Sequence, residues 1–190
     1  MYRFAILFVF FVFSQTLVFS QDRWNGIPYI KNYTIDDYSP PGFRASPQNW
    51  KAFQDSSGIM YFGNTDGILN FDGSHWRFMN LPNHSVVRSI CSDRFNQIYV
   101  GGENEFGTLL IDSLGGYKYH SFRPLVPDSI KNIRNIWSVE SFNDTIIFRS
   151  RNKLFFYHND TIIHILRTTS PFSNHFVHPG DLYVFAAGQA

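Results

Sequence analysis

From residue 48 onward, short apolar runs alternate with glycine, asparagine and aspartate, and no stretch of ten residues shows the spacing of an amphipathic helix. The segment DSSGIMYFGNTDGILNFDG, residues 55–73, shows this most clearly, because glycines close apolar runs that are too short for a helix. Runs of β-branched and aromatic residues between such turn residues are typical of β-strands. Asp66 and Gly67 suit the positive φ of a tight hairpin. The pattern therefore predicts antiparallel strands joined by short turns.

The same four-stranded unit recurs along the chain. Its runs are WKAFQD, IMYFGN, ILNF and HWRFMN in the first copy, VRSICSD, QIYVGGE, TLLIDS and YKYHSF in the second, and RNIWSVES, DTIIFRS, KLFFYHN and TIIHILR in the third. Two more strands are predicted in the final segment, HFVHPGDLYVFAAGQA. The residues that end the second run of each copy are spaced by 38, 48 and 37 positions: Gly63, Gly101, Arg149 and Ala186.

A four-stranded unit that recurs at about 40–50 residues is typical of the blades of a β-propeller. A β-sandwich or barrel also contains many short strands, but it does not predict the same internal order of strands and glycine turns. We therefore predict an all-β fold, an incomplete β-propeller of about three and a half four-stranded blades. Because propellers close with at least about four blades, we expect the chain to be the front part of a longer protein.

The third copy departs from the pattern at its central turn. Arg149 and Ser150 stand where the earlier copies have glycine. Asn152 is then the residue best suited to positive φ in that turn. The third copy therefore fits the repeat least closely.

The N-terminus has the pattern of a secretory signal peptide. Arg3 precedes ten consecutive apolar residues, and a second apolar patch ends at Ser20. The unbroken run is shorter than the roughly 18–20 residues that span a bilayer, so cleavage between Ser20 and Gln21 is preferred to an uncleaved anchor. The predicted organisation is a signal peptide (1–20), an extended lead-in (21–47) with one strand over 27–33, and a partial propeller (48–190). Its blades are 48–84, 85–130, 131–173 and an incomplete 174–190.

Charge and cysteine content narrow the function. Without the leader, which carries Arg3, the chain has 15 Lys and Arg against 15 Asp and Glu. Formal neutrality argues against a nucleic-acid or anionic-membrane surface, because either needs a basic excess. Cys91 is the single cysteine, so no internal disulfide forms, and we interpret it as a small buried side chain.

The motifs Pro-Gln-Asn-Trp, Gly-Ile-Met-Tyr-Phe-Gly-Asn and Phe-Asp-Gly follow in order within residues 47–77. Together they resemble the first repeat of the two-component-regulator propeller family, and IYVGGENEFGTLL resembles its second blade. The lead-in from Gly26 is similar to that of a subgroup whose propeller precedes a triple-tyrosine domain. The clear likeness runs from Gly26 to Leu110 and weakens to Ala190.

This resemblance implies an exported, periplasmic sensor that is membrane-tethered in the intact protein. In the family, a triple-tyrosine domain, one transmembrane helix and a cytoplasmic output part follow the propellers. The expected partners are a glycan or other extracellular ligand, the downstream domains of the same polypeptide and a second copy in a homodimer. No nucleic acid is expected to bind this segment.

Four polar residues follow the second strands of the first two blades: Asn64, Asp66, Glu103 and Glu105. Equivalent loops of successive blades share one face of a propeller, so these residues are the candidate ligand-binding set, although polar turn residues are often simply solvated. Trp50, Trp76 and Trp137 are expected to pack between blades, with stacking on sugars as the alternative. Seven glycines are interpreted as turn formers rather than as a phosphate loop: Gly58, Gly63, Gly67, Gly73, Gly101, Gly102 and Gly107.

The primary hypothesis is a non-catalytic ligand sensor. No familiar hydrolase motif is present, and no catalytic residue, cofactor or metal site is predicted. One alternative is a propeller glycosidase or lyase that uses loop carboxylates such as Asp66 and Glu105. A second alternative is an adhesion or interaction module.

Overall fold

The computed structural model describes residues 30–113, 115–130, 132–178 and 180–187. The chain divides into two compact units, Met1–Asn32 and Tyr33–Ala190, and all the sheets belong to the second unit. The predicted signal peptide, with its cleavage position between Ser20 and Gln21, lies outside the described residues. Of the strand predicted over 27–33, only residues 30–33 are described, and they form no strand. Within the described ranges, no helix is both long and apolar enough to cross a bilayer.

The described strands form three four-stranded antiparallel sheets and one two-stranded sheet, each in chain order. The first sheet contains β1 (Asn49–Gln54), β2 (Met60–Asn64), β3 (Gly67–Phe71) and β4 (Trp76–Met79). The second contains β5 (Val87–Ser92), β6 (Ile98–Gly102), β7 (Phe106–Ile111) and β8 (Tyr117–Ser121). The third contains β9 (Ser138–Phe142), β10 (Thr145–Arg149), β11 (Lys153–His158) and β12 (Thr161–Arg167). The fourth contains β13 (Phe172–His178) and β14 (Asp181–Ala186).

Within the described residues, the helices are short. A single α-helical turn, α1 (Ile35–Tyr38), lies in the lead-in, and 3₁₀ turns connect the sheets at Pro82–His84, Arg123–Leu125 and Asp128–Ile130. Thr34 and Asp37 form a capping box at the start of α1, in which Oδ2 of Asp37 accepts hydrogen bonds from the backbone N–H and the hydroxyl of Thr34. The hydrogen bonds at its N-terminus therefore stabilise this turn, which is too short to be stabilised by many backbone hydrogen bonds of its own.

Successive sheets pack through their first strands, β1 against β5, β5 against β9, and β9 against β13. These strands are therefore the innermost of their sheets, and the fourth strands are the outermost. Sheets arranged in this way are the blades of a propeller. The predicted all-β propeller fold is thus confirmed, and blades 1 to 4 below are the four sheets in chain order.

Apolar clusters fill the spaces between successive blades. Blades 1 and 2 share a cluster that includes Tyr61, Val87 and Val100. Blades 2 and 3 share a larger aromatic cluster, whose fully buried rings are Phe106, Phe122, Phe148 and Phe155. Burying each such side chain contributes about 1.5–3 kcal/mol. Each blade is therefore stabilised mainly by its neighbour.

The part of the lead-in from Tyr33 onward packs on the outer part of blade 1. The ring of Trp76 on β4 lies 5.2 Å from that of Tyr33 and 5.6 Å from that of Tyr38, and Phe43 stacks on Phe78 at 5.0 Å. Trp76 therefore packs against the lead-in and against Phe71 of its own blade, so its predicted packing between blades is wrong.

The turn interpretation is wrong for four of the seven glycines. Gly58 and Gly73 have φ of 86° and 94° in turns, and Gly67 begins β3. The other four lie within strands β2, β6 and β7: Gly63, Gly101, Gly102 and Gly107. The physical reason is close approach, because a β-carbon on Gly63 would lie 2.8 Å from the carbonyl oxygen of Val87 in the next blade.

Blade 3 differs where its sequence does. The strand register places Arg149 opposite Ser138, the position that Gly63 and Gly101 occupy in blades 1 and 2. Asn152 does not have positive φ, so the prediction for this residue is wrong. The turn is held by another contact, because the carbonyl groups of Arg151 and Asn152 accept hydrogen bonds from the segment that leads into β13. The strand β13 begins at Phe172, two residues before the predicted start of the fourth blade.

Candidate functional site

The innermost strands begin with an irregularity at the same place in several blades. In β1, Asn49 and Lys51 pair with consecutive residues of β2, which leaves Trp50 as the extra residue of a β-bulge. The same register shift makes Arg88 the extra residue in β5 and Ser173 the extra residue in β13. A bulge redirects the side chain of its extra residue. Side chains from separate blades are thus presented at one end of the innermost strands.

Three of these side chains meet. The guanidinium carbon of Arg88 lies 4.2 Å from the ring centroid of Trp50 and 4.7 Å from that of Trp137, which immediately precedes β9. Arginine over an indole ring is a favourable cation–π arrangement, worth about 0.5–2 kcal/mol for each ring. We call these three residues the tryptophan–arginine cluster. It joins blades 1, 2 and 3.

Both indole rings of the cluster remain accessible. Trp50 is 42% exposed and Trp137 is 46% exposed, so their expected packing between blades is wrong. The contact with Arg88 covers only part of each ring. An aromatic face that is held in place and half open to solvent suits stacking against a ligand ring.

Arg88 is oriented but not saturated with hydrogen bonds. Its Nε donates to Oδ1 of Asn135 at 2.8 Å. Its Nη1 is enclosed and has no hydrogen-bond partner among the described residues. An enclosed donor without a partner costs free energy, so a ligand acceptor that reached it would bind favourably.

The loop after β2 holds Trp50. The indole Nε1 donates to Oγ1 of Thr65 at 3.1 Å, and the backbone N–H of Thr65 donates to the carbonyl of Gln48. Asn64 is fully buried and donates through Nδ2 to the carbonyl of Ser46 at 2.8 Å, while Oδ2 of Asp66 accepts from the N–H of Ser46 at 2.7 Å. The predicted residues Asn64 and Asp66 therefore stabilise the site by holding the backbone that leads into β1.

The two predicted glutamates occupy different environments. Glu105 is 3% exposed, and its Oε1 accepts hydrogen bonds from the N–H of Phe106, the hydroxyl of Tyr119 at 3.1 Å and the hydroxyl of Ser121 at 2.5 Å. Burial, together with the negative charge of Glu105, raises the pKa of Tyr119. Glu103 is exposed, and its backbone pairs with Asn135, the residue that orients Arg88.

The structure therefore keeps part of the predicted set at the site. Glu103 lies beside the cluster, Asn64 and Asp66 hold its supporting loop, and Glu105 is an internal acceptor between strands β7 and β8. Sequence reasoning missed Arg88. The signal was available, because Arg88 follows Trp50 by 38 residues and precedes Trp137 by 49, and the repeat steps between these blades are 38 and 48.

A cleft of about 480 Å³ lies at the opposite end of blades 2 and 3. Its polar lining is largely used within the turns, since Oδ1 of Asp93 accepts backbone N–H groups of its own turn and Arg94 pairs with Asp144 at 3.1 Å. This cleft also has an open aromatic face, because Phe95 is 75% exposed beside Arg94. The tryptophan–arginine cluster differs in that one guanidinium joins two half-exposed rings from separate blades.

No protein-family model and no curated protein sequence matches the chain. The fold is similar to the extracellular domain of the candidate one-component system BT4673 from B. thetaiotaomicron, with a TM-score of 0.53 and 17% identity over 73% of this chain and 20% of that one. It is also similar to virginiamycin B lyase from Staphylococcus aureus, with a TM-score of 0.52 and 13% identity over 76% of this chain and 58% of that one. The chain thus spans less than two thirds of either protein. At these identities the likeness shows the fold alone, and that fold is a β-propeller.

Proposed function

We propose that this chain is the ligand-sensing part of an extracytoplasmic signal-transduction protein of the two-component-regulator propeller type. Two observations support it: the motif resemblance over 26–110, and a structural neighbour described as the extracellular domain of a one-component system. The observation that carries the proposal is the contact of Arg88 with two half-exposed tryptophans from the neighbouring blades.

The cluster is suited to a ligand with a flat apolar face and polar edges, such as a pyranose ring. The C–H face of the sugar stacks on Trp50 or Trp137, and the guanidinium of Arg88 donates to ring substituents. Because the three residues come from three blades, a ligand that contacts all of them favours one packing of those blades. Ligand binding would thus shift the population of blade packings, and a neighbouring domain would respond to that shift.

The environment of two carboxylates supports the non-catalytic interpretation. Glycoside hydrolysis needs two carboxyl groups that flank the scissile bond. Glu105 is enclosed and fully engaged with Phe106, Tyr119 and Ser121, so it is not placed to reach a substrate. Asp66 is engaged with the backbone of Ser46. The proposal therefore assigns binding, and not turnover, to the cluster.

The test is a binding titration of the full chain with a panel of neutral and acidic oligosaccharides, monitored by tryptophan fluorescence. We expect Trp137→Ala and Arg88→Ala each to weaken binding about five- to hundredfold, since a stacking or charged contact is worth about 1–3 kcal/mol. Trp76→Phe is the matched control, because Trp76 is packed against the lead-in.

The same incubations separate the three hypotheses. Product formation that disappears in Asp66→Ala would establish an enzyme. Capture of a protein partner with no response to any sugar would establish an interaction module. Binding without products, and lost with the cluster, supports the sensor.

A further inference from the structure

A second surface at the same end of the fold is basic. A cleft of about 320 Å³ is lined by Asn132 and Arg134 from the loop before β9, by Arg151, Asn152 and Lys153 from the turn between β10 and β11, and by Thr169. Among the described residues, no aspartate or glutamate lines it. Three cationic side chains from two separate loops therefore converge on one opening.

These cations are not neutralised by the protein. Neither Arg134 nor Arg151 has an ion pair within the described residues, and the Nζ of Lys153 donates to the carbonyl of Asn132 at 3.0 Å. Burial lowers the pKa of Lys153, and the positive charges of Arg134 and Arg167 lower it further. Like charges held together without a counter-charge create a positive potential that an anion relieves.

The cleft is fixed in shape. The carbonyl of Arg151 accepts the N–H of Phe172 at 2.7 Å, and the carbonyl of Arg134 accepts the N–H of Asn104 at 2.8 Å. Arg134 also has φ of 61°, a conformation that an arginine rarely adopts. Such strained residues concentrate at binding sites, where the surrounding structure holds them.

The remaining lining groups are free to bind. The side chains of Asn132, Asn152 and Thr169 make no hydrogen bond within the described part of the chain. Amide and hydroxyl donors beside two guanidinium groups are the usual partners of a multiply charged oxyanion, because the planar fork of arginine matches its oxygens.

We propose that this cleft binds a sulfate or phosphate group. The loop that supplies Arg134 continues through Asn135 to Trp137, so the cleft and the tryptophan–arginine cluster are supported by one segment. Oxyanion binding itself does not rest on the proposed function, because it needs no contact with either tryptophan.

The first experiment measures binding of inorganic sulfate and phosphate to the full chain by calorimetry, with sodium chloride at equal ionic strength as the reference. A parallel arm compares dextran sulfate with unsulfated dextran. Binding of both the inorganic ions and dextran sulfate identifies a site for free anions that also accepts sulfate groups attached to a polysaccharide. Binding of dextran sulfate alone identifies a group carried on a polymer.

The variant is Arg134→Asn combined with Arg151→Gln, in which asparagine tolerates the positive φ at 134. We expect it to lose at least about tenfold in affinity for the oxyanion, because two charged contacts are removed. Lys118→Gln is the matched control, since Lys118 is exposed on the outermost strand β8 of blade 2. Thermal unfolding establishes whether each variant is folded. If the double variant does not fold, Lys153→Met is tested in its place.

Unchanged affinity in the double variant overturns the proposal, as does an equal loss in Lys118→Gln or the absence of any response to sulfate, phosphate and dextran sulfate. Trp137→Ala separates the two sites. It should leave the binding of inorganic sulfate unchanged while it weakens the binding of neutral oligosaccharides, so failure of one proposal is distinguishable from failure of the other.

Discussion

The hydroxyl of Tyr61 donates a hydrogen bond to Oδ2 of Asp55 at 3.3 Å, where β1 turns into β2. Blade 2 repeats the contact at the same distance between Tyr99 and Asp93. In both blades the second carboxylate oxygen accepts backbone N–H groups of its own turn. The aspartate thus closes the turn and anchors a buried ring.

Blade 3 has neither partner. The strand register places Phe142 where blades 1 and 2 have aspartate, and Ile147 where they have tyrosine. Phe142 packs against the cluster that contains Ile147. The polar pair is replaced as a unit, because either residue alone would leave a polar group without its partner.

We expect Tyr99→Phe to lower the free energy of unfolding by about 1 kcal/mol, since one hydrogen bond is lost and the ring is retained. Asp93→Ala should cost about 2 kcal/mol, because the N–H groups of Phe95 and Gln97 also lose their acceptor. Urea unfolding monitored by circular dichroism measures both. Tyr183→Phe, at a half-exposed ring, is the control, and an equal effect there would contradict the assignment.

Gly101 sets the distance between blades 2 and 3. A β-carbon at this position would overlap Ile136 and lie 2.8 Å from Cγ2 of Val139. Gly101→Ala should therefore lower the free energy of unfolding by about 1–3 kcal/mol through overpacking. The thermal unfolding midpoint reports the change.

Gly73 provides the contrast. It has φ of 94°, and within the described part of the chain no neighbouring heavy atom would lie within 4 Å of a β-carbon there, so its requirement is for backbone conformation alone. Gly73→Asn should be tolerated better than Gly73→Ala, because asparagine visits positive φ more readily. For Gly101 the order reverses, since the larger side chain collides more. The same order at both positions would refute the close-approach explanation.

The fold was predictable from the sequence because turn residues punctuate every strand. Asp66 and Gly67 mark the turn between β2 and β3, and the apolar runs on either side are too short for anything but strands. The exact role of each glycine was not predictable. Gly63 is needed because Val87 of the neighbouring blade approaches its backbone closely. The distance between the two blades cannot be predicted from the sequence around Gly63.

The site was only partly predictable for the same reason. Loop position indicated the end of the sheets where Glu103 lies. It could not show that Glu105 points into the protein toward Tyr119, nor that a bulge aims Arg88 at Trp137. These facts depend on strand register and on contacts between blades.

Glu105 is expected to contribute to stability and not to ligand chemistry. Glu105→Leu should lower the free energy of unfolding by about 1–3 kcal/mol, because the hydroxyls of Tyr119 and Ser121 lose their acceptor in a buried place. Glu105→Gln should cost less, since its amide oxygen still accepts. Glu103→Gln, at an exposed position, should stay within about 0.5 kcal/mol. A loss of ligand response in Glu105→Gln at unchanged stability would restore the carboxylate to the functional site.

A buried histidine joins blades 3 and 4. His175 on β13 is 2% exposed, and its Nδ1 lies 3.1 Å from Nε of Arg149 and 3.0 Å from Oγ of Ser138. The guanidinium only donates, so Nδ1 accepts and the ring is neutral, with its proton on Nε2. Nε2 has no hydrogen-bond partner in the described part of the chain, and Oε1 of Glu140 lies 3.7 Å away.

This arrangement predicts acid sensitivity. Burial, and then the charge of Arg149, lowers the pKa of His175 to about 4. A histidine whose folded pKa lies below its ordinary value of about 6.5 favours the folded state only while it is neutral. Its contribution is therefore complete above about pH 6.5 and is lost as pH falls toward about 4. Over that interval the full loss is about 3 kcal/mol.

The neighbouring carboxylate acts in the opposite sense. Burial raises the pKa of Glu140, and the N–H of Val177 and the charge of Arg149 partly offset this rise. The contribution of Glu140 to the stability of the fold therefore declines as pH rises through its folded pKa. The effect of His175 is isolated by comparison with His175→Gln, which keeps polarity but cannot titrate. We expect the difference in unfolding free energy between wild type and His175→Gln to shrink, and then to reverse in favour of the variant, as pH is lowered from 7.5 to 5. His164→Gln, at an exposed position on β12, is the matched control for replacing a histidine by glutamine, and an equal effect there would contradict the assignment to His175. Parallel pH profiles for wild type and His175→Gln would show that the histidine does not couple blade packing to acidity.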